Sequence, residues 1–256
     1  MQIVFLILLF IIGACFGSFL CCQTRRLRLK ETKKPSPGRR SVCLHCGYQL
    51  KWYHNIPIFS WLFLKGKCKK CHHKIGALEI LSEFGVALAF LMLGTTINIT
   101  TATTLEWAAL IITLILTLVL AFLAIYDGAY GELPTPYLIT AIIIGLILAI
   151  IKISSTNLLD PIFSFLILGG LYLVLYLISK GKWVGSGDWL LGTAIGLALS
   201  SPWLALITLF LANFIACIVM LPKVKKTKAK KIYFGPFLVI AFVITATFAS
   251  FLQNMI

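Results

Sequence analysis

The chain has 256 residues, 60% of them hydrophobic and only 12% charged, with a mean hydropathy of +0.98. That apolar share is well above a soluble domain's, so soluble enzymes and secreted disulfide scaffolds are excluded. Lys and Arg number 23 against 8 Asp and Glu, an excess that would suggest a nucleic-acid partner in a soluble protein. Its placement along the chain says otherwise.

Apolar runs bounded by polar or turn residues predict eight membrane spans, at residues 3–22, 80–97, 107–126, 136–151, 161–179, 189–201, 203–221 and 236–252. Eight spans of roughly 20 residues take about 160 residues and leave about 96 for everything in water. The sixth run is short and ends at Ser200-Ser201-Pro202, so it is expected to begin within the preceding Gly-rich stretch. The fold class is all-α and polytopic. Three parts are expected: a first transmembrane helix (1–22), a basic loop (23–78) and a seven-helix core (79–256). Ile12-Gly13-Ala14-Cys15 loosely resembles a lipoprotein cleavage box, but no positive residue precedes the run and Arg25, Arg26 and Arg28 follow at once. That is a stop-transfer pattern, so the segment reads as a retained span. No internal repeat is evident, and Lys33-Lys34-Pro35-Ser36-Pro37-Gly38 reads as a turn-rich connector.

Fourteen Lys and Arg lie between Arg25 and Lys74, two more are Lys180 and Lys182, six lie between Lys223 and Lys231, and Lys152 is left over. With span one running from outside to inside, alternation puts all three basic loops on one side, which the positive-inside rule makes the cytoplasm. The basic runs are thereby explained as topology. No aromatic-interleaved basic surface accompanies them, so nucleic-acid binding is not expected.

Four of the eight cysteines form Cys43-x2-Cys46 and Cys68-x2-Cys71, with 21 residues between the pairs. Each CxxC turn aims two sulfurs at one point, and two turns complete a tetrahedron of thiolates suited to zinc. A reducing cytosol disfavours disulfides, and a four-thiolate site has no open position, so the expected metal is structural. His45, His72 and His73 lie close enough in sequence to be alternative ligands. Cys15, Cys21, Cys22 and Cys217 lie in or beside spans and read as small buried hydrophobes.

The eight carboxylates can be weighed one by one. Asp127, in Ile125-Tyr126-Asp127-Gly128, is expected just after span three. Asp188, in Gly185-Ser186-Gly187-Asp188, is expected at the entry of span six. Both fall at the same membrane face, where a carboxylate close to hydrocarbon is a functional candidate. Two such aspartates can act as an aspartic-protease pair, one as general base on water and the other as general acid toward the carbonyl. The bland alternative is a pair of helix caps or counter-ions to lysines. Asp160 and Glu106 read as span caps on the opposite face. Glu83 lies just inside span two, where a third functional carboxylate and a helix N-terminal preference are both open readings.

The stretch Arg40-Ser41-x-Cys43-x2-Cys46-x3-Leu50-x-Trp52-Tyr53-x-Asn55-Ile56-Pro57-Ile58-x-Ser60-Trp61-Leu62, followed by Gly66-Lys67-Cys68-x2-Cys71, resembles the cytoplasmic cysteine loop of the prepilin peptidases, the GxGD-type membrane aspartic proteases. Gly17-Ser18-Phe19-Leu20, Asp127 with Leu133-Pro134, Gly185-x-Gly187-Asp188 and Phe234-Gly235-Pro236-Phe237-Leu238 match in the family's order. The resemblance implies a multi-pass enzyme of the bacterial plasma membrane with Asp127 and Asp188 catalytic and the four loop cysteines as metal ligands. Glu83 matches the acidic residue that follows the loop. The implied substrates are prepilins or pseudopilins of pilus assembly, secretion or competence, cut after a glycine at the end of a basic leader. Family members with the cysteine loop typically also methylate the new N-terminus with S-adenosylmethionine. No glycine-rich loop of the soluble methyltransferase type is visible, and Glu83 with Trp52-Tyr53-x-Asn55 is the expected contributor to that half. Three positions depart from the family: Cys21 replaces an asparagine, Thr135 an aspartate and Leu190 a lysine. A transporter using the two aspartates as ion ligands, or a zinc-loop adaptor without catalysis, are the rival readings.

Overall fold

A computed structural model of the protein describes residues 1–33, 41–43, 45–153, 157–181, 184–227 and 233–253. The connector expected over Lys33 to Gly38 falls outside these residues from Lys34 onward, as do Arg40, Lys182 and the basic run's end at Lys228 to Lys231. The regular elements among the described residues are all helical, with no strand and two isolated bridges in the cysteine loop. The chain divides into two compact units, Met1–Leu91 and Met92–Ile256.

In the first unit, α1 (Gln2–Glu31) is a single helix of 30 residues. At 1.5 Å per residue it is about 45 Å long, against a hydrocarbon thickness near 30 Å, so its basic end extends past the apolar layer. A short helix, α2 (Phe59–Phe63), follows the cysteine loop's first half, and α3 (Ala77–Gly94) closes the unit. Helices in lipid gain nothing from burying apolar surface against each other, so they associate where small residues let backbones meet. Gly13 and Gly17 do this on α1. A Cβ on Gly13 would lie 2.8 Å from the Ala87 Cα, and one on Gly17 would lie 2.7 Å from the Glu83 Cα. The Gly13 of the apparent cleavage box is thus a helix-packing residue.

The second unit runs α4 (Thr104–Tyr130), α5 (Thr135–Lys152), α6 (Asp160–Phe165), a π-helical turn (Leu166–Gly170), α7 (Leu171–Ser179), α8 (Ser186–Leu199), α9 (Pro202–Thr227), α10 (Gly235–Thr247) and α11 (Ala249–Gln253). The α4 N-terminus is closed by a reciprocal pair: Thr103 N–H donates to Glu106 Oε2 at 2.7 Å and Glu106 N–H to Thr103 Oγ1 at 3.3 Å. Asp160, expected as a span cap, lies instead in the first turn of α6, where its Oδ2 accepts the Asn157 N–H of the preceding turn at 3.2 Å.

Each expected span has its helix. Six are long and apolar enough to cross a membrane, counting Asp160–Ser179 as one; Gly235–Thr247 is a shorter apolar helix and Ser186–Leu199 has 14 residues. The short α8 is protein-covered, with Leu191, Ala194, Ile195 and Ala198 at most 1% exposed. Its small residues admit the neighbours' backbones: a Cβ on Gly196 would lie 2.7 Å from the Ser164 carbonyl oxygen, and one on Gly145 of α5 would lie 2.6 Å from the Ala194 carbonyl oxygen. A helix enclosed by others need not match the full bilayer thickness with its own apolar surface.

Candidate active site and metal centre

The cysteine loop is built from two turns of the same design, 25 residues apart, a repeat that the residue identities conceal. In the first, Cys43 N–H donates to Tyr48 O at 2.8 Å, Gly47 N–H to Cys43 O at 2.9 Å and Leu50 N–H to Ser41 O at 2.9 Å. In the second, Cys68 N–H donates to His73 O at 2.9 Å, His72 N–H to Cys68 O at 3.0 Å and Ile75 N–H to Gly66 O at 2.7 Å. The residue after each second cysteine is left-handed, Gly47 at φ +66° and His72 at φ +53°. Only the first of these turns uses the residue type that adopts this region without steric cost, which hides the repeat at the second.

The four sulfurs of Cys43, Cys46, Cys68 and Cys71 lie within 4.8 Å of one another, and they are the one such ligand cluster among the described residues. The Cys43 and Cys71 sulfurs are 3.8 Å apart, the edge of a tetrahedron with metal–sulfur bonds of about 2.3 Å. Backbone N–H groups of Cys71 and Lys70 aimed at the Cys68 sulfur pull its thiol down to about 6, which favours the thiolate form that a metal ligand takes. The four cysteines are positioned to bind a metal ion. His45 and His73 stack on one another instead, with ring centroids 4.4 Å apart.

Glu83 is buried on α3. Its Oε2 accepts the Ile58 N–H at 2.7 Å, and the Ser18 hydroxyl of α1 also hydrogen-bonds it. One turn away, Arg25 of α1 pairs with Glu79 of α3. Cys21, where the family pattern has asparagine, is buried beside Ser82.

In the second unit, Asp127 does not follow its helix as expected but lies in the last turn of α4, which ends only at Tyr130 with Gly131 left-handed at φ +71°. Because α4 continues one further turn, Asp127 is held inside the bundle and is 6% exposed. A carboxylate at a helix C-terminus faces the negative end of its own dipole. The compensating donor comes from elsewhere: Gly235 N–H, in the first turn of α10, donates to Asp127 Oδ2 at 3.0 Å. Asp188 lies in the first turn of α8 and its Oδ2 accepts Gly185 N–H at 2.9 Å. Both carboxylates are therefore held by amides at helix N-termini, where anions are favoured.

Asp188 lies close enough for its charge to act on the Asp127 carboxyl. Close packing fixes the approach: a Cβ on Gly187 would lie 2.6 Å from the Leu133 Cβ, so the second glycine of the GxGD motif seats the α4–α5 turn against the start of α8. Tyr172 is buried, also within electrostatic reach of Asp188, and its hydroxyl accepts Asn213 Nδ2–H at 3.3 Å. Its ring meets Phe234 edge-on at 5.4 Å, immediately before Gly235. Tyr172, Asn213 and the Gly235 amide escaped the sequence reading. Phe234-Gly235-Pro236 was visible as a family match, but nothing in it states which carboxylate its amide meets. Thr135, in place of the family's aspartate, is exposed at the start of α5.

A family model described as Bacterial Peptidase A24 N-terminal domain matches residues 11–97, and one described as the Type IV leader peptidase family matches residues 114–221. A prepilin leader peptidase/N-methyltransferase of Aeromonas hydrophila is 30% identical over 212 residues, covering 79% of this chain and 69% of that one. The chain belongs to the type IV leader peptidase family. Another member of that name, from Aeromonas salmonicida, is 28% identical over 264 residues, covering 91% of this chain and 87% of its own length. The Dichelobacter nodosus member is 29% identical over 204 residues, with 78% and 68% covered. No solved structure matches.

Proposed function

We propose that the chain is a prepilin leader peptidase of the bacterial plasma membrane, with Asp127 and Asp188 as its catalytic pair. What supports this is that Asp188, 61 positions further on in sequence (188 − 127), lies near enough for its charge to act on Asp127 in a chain of the leader peptidase family. One aspartate takes a proton from water as the oxygen adds to the scissile carbonyl, while the other hands its proton to the carbonyl oxygen. Collapse of the tetrahedral species breaks the C–N bond: the proton first taken from water leaves on the amine, and the second aspartate takes back the proton it gave as the carbonyl re-forms. Gly235 N–H and Gly185 N–H hold the two carboxylates in place through this exchange.

The substrates are prepilins or pseudopilins, whose basic leader stays on the side of the basic loops. Arg25 to Lys30 at the end of α1, and the lysines of the cysteine loop, support a cytoplasmic loop and cytoplasmic aspartates by the positive-inside rule. Zinc is the metal proposed for Cys43, Cys46, Cys68 and Cys71, because four thiolates at tetrahedral spacing suit it and leave no site for a reacting water. The family relatives' names support a second activity, N-methylation of the new N-terminus, with S-adenosylmethionine as the methyl donor. For Glu83 the proposed part in that half is through the loop it holds at Ile58.

The test is intact-mass spectrometry of a prepilin after incubation with the purified protein, with and without S-adenosylmethionine. Loss of the leader by wild type, and none with Asp127→Asn or Asp188→Asn in inserted, metal-loaded protein, is the expected result. Cleavage at close to the wild-type rate by either variant would refute the pair. A gain of one methyl group only with S-adenosylmethionine is expected for the second activity.

A further inference from the structure

The cysteine loop carries an exposed apolar face that its own fold leaves uncovered. Trp52 is 79% exposed, Phe63 83%, Phe59 61% and Leu62 55%. In a loop of water-facing function, four large apolar side chains on one short segment are unusual. Their depth is set by one bond. Ile58, the residue ahead of α2, is held at φ +64° with its N–H on Glu83, a backbone region that a β-branched residue adopts only under constraint. Glu83 is the seventh residue of α3, about 9 Å along the helix from its start at 1.5 Å per residue. On α1 the same level is marked by Gly17, which packs against Ser82 and Glu83. Gly17 lies eight residues inside the first basic residue, Arg25, about 12 Å by the same rise. The bond thus draws the start of α2 below the polar ends of both membrane helices of this unit.

The charge around this face is of one sign. No carboxylate occurs between Glu31 and Glu79, and Lys51 and Lys65 flank the apolar segment while Lys67, Lys69 and Lys70 follow it, all exposed. Trp at the head-group level, Phe and Leu just beneath, and lysines whose stems let the ammonium reach back to phosphate are the chemistry of an interfacial segment.

We infer that Trp52 and α2 are embedded in the bilayer that the chain itself spans, apolar side chains among the upper acyl carbons and lysines on the phosphates of anionic lipid. The cysteine loop then lies against the membrane surface and does not stand free in water. The inference is independent of catalysis and stands or falls without it.

The test uses the wild-type, metal-loaded full chain labelled with fluorotryptophan, one copy per nanodisc of phosphatidylcholine and phosphatidylglycerol. Of the six tryptophans, the Trp52 fluorine resonance is assigned as the one lost in Trp52→Phe. A Phe63→Trp variant supplies a second reporter on the same face. Expected are lines broadened several-fold more by lipid spin-labelled at the head-group end of its acyl chain than by a water-soluble gadolinium chelate. Broadening by the chelate and not by the lipid label would overturn the inference. Protection from both, the sign of a protein partner or of the loop folding on itself, would overturn it equally. Replacing phosphatidylglycerol by phosphatidylcholine is expected to weaken the lipid effect, and no change would remove the lysines from the interaction.

Discussion

Gly235→Ala tests the site more sharply than loss of either aspartate. The φ of Gly235 lies outside the left-handed region and the residue opens α10, so the backbone accepts alanine, and helix propensity favours the change by up to about 1 kcal/mol. The added Cβ, however, would stand 2.8 Å from Asp127 Oδ2, where ordinary contact begins at 3.4 Å. The carboxylate must therefore swing away from the amide that holds it at 3.0 Å. A hydrogen bond to a charged group contributes about 1.5–3 kcal/mol, which corresponds to about a 10- to 150-fold loss in kcat if it orients the reacting carboxylate. The assay is cleavage of a prepilin by the detergent-solubilised variant, with thermal unfolding measured alongside. The expected outcome is a kcat reduced in that range with unchanged or raised thermal stability. Wild-type kcat in Gly235→Ala, with Asp127→Asn inactive, would refute the role of the amide. Activity in both variants would remove Asp127 from catalysis altogether.

Asp127→Asn and Asp188→Asn are each expected to lower cleavage about 100- to 10,000-fold, since each removes one of the two proposed acid–base partners; single-turnover cleavage measures it. Tyr172→Phe keeps the ring on Phe234 and leaves Asn213 Nδ2 its bond to Leu209 O, but removes the hydroxyl's bond to Asn213, and a drop of about 2- to 12-fold in kcat, the equivalent of one neutral hydrogen bond, is expected from the same assay. Removing the metal with a chelator, or by Cys43→Ser, should leave helix content by circular dichroism intact while trypsin gains access to the loop lysines, because a small loop without a core depends on its metal. Gly17→Leu should lower the midpoint of thermal unfolding by the equivalent of about 1–3 kcal/mol, because α3 backbone occupies the space the side chain needs.

Much of this protein is local and was readable. Runs of about 20 apolar residues give a helix wherever they occur in lipid, since no other open structure satisfies the backbone there, and all eight runs have their helix. The CxxC pairs read as a metal site because each places two sulfurs within one turn. Gly185-x-Gly187-Asp188 marked the entry to α8, and the capping pair Thr103–Glu106 follows from residues three apart.

What faces what was not readable. In a soluble helix the polar stripe marks the outside, whereas in lipid both faces are apolar and the pattern carries no such sign. Hence the burial of α8, the seam at Gly13 and Gly17, and the last turn of α4 that encloses Asp127 came only with the fold. The amide of Gly235 meets a carboxylate 108 residues away, and Ile58 finds Glu83 across the metal loop. A backbone N–H is present at nearly every position and so leaves no mark in the sequence. Which one is aimed at an aspartate is decided by where a helix begins in space, and that is fixed by the packing of the whole bundle.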